Sequence, residues 1–181
     1  MISIIIKIPE EVDISLAKNS LKVKGPKGEI SRLIPNEVGI TLKDGKVFVN
    51  KLMDTKLAKS LEGTISSHVK NMIVGVTNGW SKILELVGAG FRSEKKDRDL
   101  VLSVGFSHPV ILIAPEGINF KIDKTLITVK GIDKELVGKI SAIIRDVRPP
   151  DPYKGKGIKY QDEILKLKPG KQAAKTEGGS Q

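Results

Sequence analysis

Cysteine is absent from the 181 residues, which excludes disulfides, thiolate metal ligands and a cysteine nucleophile. Aromatic residues make up only 4%, so a core has to be built from isoleucine, leucine and valine. No apolar run approaches the ~18 residues of a membrane-spanning helix. The opening Met1-Ile2-Ser3-Ile4-Ile5-Ile6-Lys7-Ile8 is too short for a secretory leader, with neither a basic start nor a small-residue cleavage site. It reads as a first β-strand, in a soluble, intracellular protein without a membrane partner.

Chemistry-bearing clusters are equally scarce. His68 and His108 are the only histidines and fall in different halves. Carboxylates are scattered, with no pair spaced for acid–base work or a metal. The "GAG" at 88–90 precedes a charged segment and no helix, so it fails as a dinucleotide fingerprint, and no G-x-x-x-x-G-K-[ST] is present. The expectation is a protein that is not an enzyme, with no cofactor, no metal and no small-molecule substrate.

Positive charge is what the chain has in excess. Lys and Arg number 31 against 21 Asp and Glu, a net charge of +10. Such a surplus makes a polyanion the first partner to consider.

Shifting the sequence 106 residues along itself lays "PEEVDISLAKNSLKVKGPKGE" (Pro9–Glu29) over "PEGINFKIDKTLITVKGIDKE" (Pro115–Glu135) without a gap. Both copies alternate apolar and polar residues, the pattern of half-buried hairpin strands. A helical stripe follows each. In the first it is Leu57, Leu61, Ile65, Val69, Met72, Ile73 and Val76 after an N-cap at Asp54. In the second it is Leu136, Ile140, Ile143, Ile144 and Val147, capped by Asp133 and stopped by Pro149-Pro150. Strands "KILELVGAGFR" and "LVLSVGF" are expected around a turn at "SEKKDRD". The predicted fold is α+β: two similar domains from an internal duplication, each a small, mostly antiparallel sheet covered by one helix. The predicted domains are 1–82 and 83–170, with a flexible tail at 171–181.

Basic residues concentrate in "RPPDPYKGKGIKY", residues 148–160. Its prolines hold the chain extended, so little entropy is left to lose on binding. Gly155 and Gly157 lack a Cβ and would let the backbone approach a phosphate. Lys154, Lys156 and Lys159 bring point charges, Arg148 ends the preceding helix, and Tyr153 and Tyr160 could stack on a base or ribose. A stiff basic strip of this form suits a phosphate backbone better than base edges.

That stretch resembles the signature of the universal ribosomal protein L6 family of the large subunit, in its bacterial form. "VKGPKGE", "NMIVGVTNGW", "LELVGAGFR", "LVLSVGFSHPV" and "VKGIDKELVGKISAIIRDV" resemble family blocks in family order, over residues 7–170. The resemblance implies two similar α+β domains and a place in the large ribosomal subunit. There the protein would bind 23S rRNA near the base of the factor-binding stalk and the sarcin–ricin region. Neighbouring ribosomal proteins and translation factors would lie close by, in the cytoplasm or an organelle. Residue by residue, it implies rRNA contact for Arg148, Tyr153, Lys154, Gly155, Lys156, Gly157 and Lys159. Lys166, Lys168 and Lys171 extend the strip. Two departures stand out: the opening is "MISIIIKIPEEV" where the family has a basic stretch, and Glu62-Gly63 replaces the usual His-Gly. A free nucleic-acid-binding or regulatory protein on the same duplicated fold is the alternative, and a phosphate-ester enzyme would need a carboxylate or metal constellation that is not found.

Overall fold

The structure, a computed structural model, describes residues 4–169. The first half runs β1 (Ile4–Lys7), β2 (Asp13–Ala17), β3 (Ser20–Gly25), β4 (Gly28–Leu33), β5 (Val38–Lys43), β6 (Lys46–Lys51) and α1 (Lys56–Thr77). The second runs β7 (Trp80–Val87), β8 (Arg92–Lys96), β9 (Asp99–Ser103), β10 (Val110–Leu112), β11 (Ile118–Asp123), β12 (Leu126–Gly131), α2 (Lys134–Val147) and β13 (Gly157–Tyr160). The sheets are β1-β6-β5, β2-β3-β4, β10-β9-β8 and β11-β12-β7-β13, antiparallel throughout.

Alternation explains the strands. In β3, Leu21 and Val23 are buried and Lys22 and Lys24 exposed; in β6, Val47 and Val49 are buried. The β5–β6 turn is Asp44-Gly45, with φ of 47° and 66°, the conformation a two-residue hairpin turn demands of both central residues. An aliphatic core lies under α1, and the core under α2 is mainly aliphatic but takes in Phe120, with Trp80, Phe91 and Tyr160 packed against it.

The fold is duplicated α+β, but the equivalence is not the 106-residue shift. That shift matches the β2–β3 hairpin to β11–β12, whereas element order matches β5–β6 to β11–β12. Val38 pairs with Lys51 as Ile118 pairs with Gly131, strands and register both moved by 80 residues. The misleading feature is a local hairpin lead-in that occurs at three places. The N–H groups of Val12, Val38 and Ile118 donate to the carbonyls of Pro9, Pro35 and Pro115 at 3.1, 3.2 and 3.2 Å. Similar turns followed by similar alternation align well without marking equivalent places in the two domains.

Other boundaries move for equally physical reasons. Trp80, Ser81 and Lys82 pair with Gly131, Lys130 and Val129, so β7 begins before residue 82. Thr55, not Asp54, caps α1 by accepting the Ala58 N–H at 3.1 Å, and Leu57 is exposed. Asp133 caps α2 as expected, accepting from the Glu135 N–H at 2.9 Å, although Ile143 is exposed. The expected "SEKKDRD" turn is mostly strand β8, an exposed ribbon whose charged side chains carry no alternation signal.

The halves meet along a polar seam around Ile132. Arg32 donates to both carboxylate oxygens of Glu135 at 2.8 and 3.2 Å, and His68 Nδ1 stands 2.8 Å from the same carboxylate. Hydrogen bonding from Arg32 holds the Glu135 carboxyl below the usual carboxylate range. Trp80 Nε1 donates to the Asn71 carbonyl at 3.1 Å, and Lys134 covers the indole 4.5 Å from its centre. His68 belongs to this seam.

Candidate nucleic-acid interface

α2 ends at Val147 because Pro149 and Pro150 cannot continue it. The chain then folds into a compact loop instead of running extended. Asp151 builds that loop. Its N–H donates to the Lys156 carbonyl at 2.9 Å, and its carbonyl accepts the Gly155 N–H at 2.8 Å. Its carboxylate accepts from the Tyr153 and Lys154 N–H groups at 3.0 and 3.3 Å. An aspartate bonding two residues onward is a turn-former, so its carboxylate serves the backbone and does not orient Arg148. The loop is anchored by the Ile158 N–H on the Arg148 carbonyl and the Lys168 N–H on the Pro152 carbonyl, both 2.8 Å.

The structure divides the candidate residues into two groups. Arg148, Tyr153, Lys154, Lys156, Lys166 and Lys168 are exposed, and among the described residues none of the five basic ones forms an ion pair. Tyr153 is 57% exposed. Arg148 stands 5.4 Å from the centre of the Phe106 ring, an aromatic contact the sequence reading did not anticipate.

Gly155 and Gly157 are buried, and Lys159 is half-buried. Gly155 has φ +69°, is buried, and its N–H is already used. Gly157 has φ +148°, and a Cβ there would lie 2.6 Å from the Pro149 carbonyl oxygen and the Pro150 Cα. At Gly157 the close approach in the structure is to protein backbone, whereas a Cβ at Gly155 would meet only the side chains of Leu167 and Leu165 at 3.6 and 3.8 Å. Lys159 is paired with Glu85 at 3.1 Å across β13 and β7, so much of its charge is spent internally. Tyr160 packs against the second core under Arg145. Lys171 lies outside the described residues.

One supporting group gave no sequence signal. Arg145 donates to both oxygens of Glu163 at 3.0 and 2.6 Å, and the Tyr160 N–H donates to the same carboxylate at 3.2 Å. This clamp ties α2 to the end of β13, on the far side of the loop. Hydrogen bonding from Arg145 depresses the Glu163 pKa, and that bond raises the Arg145 pKa. A depressed carboxyl contributes stability that is fully present above its unfolded value, about 4.3, and is lost as pH falls through the folded value. Glu163→Gln should therefore cost about 1–2 kcal/mol at pH 7 and much less at an acidic pH low enough to protonate Glu163 in the folded protein, read by urea unfolding of both proteins. An equal cost at the two pH values would refute the charged clamp.

A family model for Ribosomal protein L6 matches residues 8–79 and 87–161. The chain belongs to the ribosomal protein L6 family. The two matched segments start 79 residues apart and end 82 apart, bracketing the 80-residue offset between β5–β6 and β11–β12. The second segment covers the 148–160 loop and stops before Lys166. Proteins named "Large ribosomal subunit protein uL6" are close in sequence. That of Salinispora tropica is 48% identical over 172 residues, covering 94% of this chain and 96% of the relative. Those of Prochlorococcus marinus and Carboxydothermus hydrogenoformans are 47% and 48% identical over 167 and 171 residues, covering 92% and 94% of this chain and 93% and 94% of the relatives. The L6 family is structural, not enzymatic.

Proposed function

We propose that the protein is a structural constituent of the large ribosomal subunit, bound to 23S rRNA through the outer edge of the 148–160 loop. On this reading Arg148, Tyr153, Lys154 and Lys156 touch RNA, Lys166 and Lys168 extend the strip, and Lys171 continues it along the tail. Gly155, Gly157 and Asp151 hold the loop's shape, and Lys159 contributes less because Glu85 shares its charge. The location is the family's, near the base of the factor-binding stalk and the sarcin–ricin region, among neighbouring ribosomal proteins and within reach of translation factors. The compartment is the cytoplasm, as for bacterial relatives.

The observation that carries this reading is the set of exposed cations without acidic partners on a loop whose backbone is already ordered. Such a loop loses little entropy on binding, and each phosphate it neutralises releases counterions. The test is filter binding to 23S rRNA across a salt series. If four to six phosphates are neutralised, log K should fall against log salt with a slope of about −3 to −5. Lys154→Ala with Lys156→Ala should flatten it by about 1.5 units without altering thermal unfolding. Lys159→Ala should change it by less than either lysine alone. Unchanged affinity in the double variant would refute the site, and failure to sediment with ribosomes in high salt would favour a free nucleic-acid-binding protein.

A further inference from the structure

The duplication makes one place in the first half conspicuous. In the second half, β13 lines the outer edge of β7. Its counterpart β1 has no strand on that edge among the described residues. Register fixes the correspondence: Ile6 pairs with Val47 as Leu84 pairs with Ile127, and Lys7 with Lys46 as Glu85 with Leu126. Val47 and Ile127 hold the same place in β6 and β12, so Ile6 matches Leu84, Lys7 matches Glu85 and Ile8 matches Leu86. The inward bonds agree, with the Ile8 N–H donating to Gly45 and the Leu86 N–H to Thr125, at 3.0 and 2.9 Å. By strand alternation, the Lys7 N–H then faces outward, where the Glu85 N–H faces β13.

We propose that the β1 edge receives an extended segment of another polypeptide, antiparallel to Ile4–Ile8, with an acidic residue opposite Lys7 and apolar residues on either side of it. The second half shows the filled form of this arrangement. There Ile158 and Tyr160 flank Lys159, Ile158 is fully buried, and Lys159 meets Glu85 at 3.1 Å. With Lys7 standing where Glu85 stands, the pairing is kept only if the incoming charge is negative. An exposed edge is an unfinished ladder that a partner strand completes, and Ile5, 56% exposed on β1, adds apolar surface there.

A second observation is an unsatisfied polar atom on the helix that packs on β1. Glu62 lies in the buried face of α1, which packs on β1 and β6, and is 8% exposed. Its Oε1 is buried with no hydrogen-bond partner. The matching position of α2 is Ser141, whose hydroxyl is satisfied by the Val137 carbonyl at 2.7 Å. A buried carboxyl oxygen without a donor is costly, and a donor carried by the incoming segment would satisfy it.

The test uses the chain's own β13 as probe. An eight-residue peptide of sequence 155–162 carrying K159E is titrated against the isotope-labelled full chain to about 5 mM, the weak end of specific affinities. The backbone amides of residues 4–8 should shift and saturate, with the native lysine peptide about three- to tenfold weaker. In a Lys7→Glu chain the preference should invert. No shift at residues 4–8, or a preference that Lys7→Glu leaves unchanged, overturns the proposal. So do shifts confined to residues 84–87, which would report exchange with β13. Without peptide, concentration-dependent shifts at 4–8 would identify a second copy as the occupant, and shifts on truncation after Pro169 would identify the chain's own tail. Either result replaces the proposed partner. RNA affinity is not part of this readout, so the outcome is independent of the rRNA site.

Discussion

Gly157→Val is expected to unfold the loop and strand that carry the basic strip, and with them much of the second half's stability. Two costs add. A valine at φ +148° occupies a backbone region that L side chains avoid, at about 1–3 kcal/mol. Its Cβ would also sit 2.6 Å from the Pro149 carbonyl oxygen and the Pro150 Cα, backbone atoms that rigid prolines keep from yielding. Overpacking of that kind adds about 1–3 kcal/mol or more. Gly157 opens β13, the strand that puts Ile158 into the core, so the damage reaches beyond the surface. Gly155→Val is the informative contrast: φ is +69°, but the nearest atom to a Cβ is Leu167 Cδ2 at 3.6 Å, so only the conformational cost applies. Thermal unfolding should order the proteins wild type, Gly155→Val, Gly157→Val, with the largest loss last. RNA affinity should fall in that order because less protein is folded, while the salt slope of the folded fraction stays constant. Equal stability of Gly157→Val and wild type would refute the packing described for the loop.

That contrast also marks how much of the site was legible in the sequence. Proline and glycine announced a loop, and the lysines announced its charge, because both are properties of the residues themselves. What the glycines touch is not local: Gly157 meets a backbone seven and eight residues earlier. The pairing of Lys159 with Glu85 and of Arg145 with Glu163 likewise depends on strand β13 lying beside β7. Sequence spacing carries no trace of it. The fold divides the same way. Alternation exposed the hairpins, and Asp133 with Pro149-Pro150 bracketed α2. Leu57 misled because the buried face of the first turns of α1 runs through Ala58 and Glu62, one position round the helix from the apolar stripe. β8 was missed because nothing buries either of its faces strongly. The 106-residue alignment misled because local hairpin chemistry repeats more often than domains do.

The last expected result concerns how the two halves are joined. A Cβ at Gly75 of α1 would lie 2.1 Å from the Ile132 carbonyl oxygen. Ile132 is held between the end of β12 and the Asp133 cap of α2, so the carbonyl cannot retreat without moving both elements. Gly75→Ala should therefore push α1 off the seam, at about 1–3 kcal/mol or more. The displacement would strain the neighbouring Arg32–Glu135, His68–Glu135 and Trp80–Asn71 contacts together. Each half has its own core, so both should stay folded while their relative orientation loosens. A chain without cysteine lends itself to the measurement, since spin labels on cysteines introduced at the exposed Lys59 and Lys139 report only that distance. Gly75→Ala should broaden the distance distribution and split the thermal transition, whereas Arg32→Ala should broaden it less. Binding of the isolated chain to 23S rRNA should change little, because the basic strip belongs wholly to the second half. A narrow, unshifted distribution at wild-type stability would mean that α1 and Ile132 do not meet as described. A large loss of RNA affinity with both halves folded would mean that RNA bridges the seam as well as the loop.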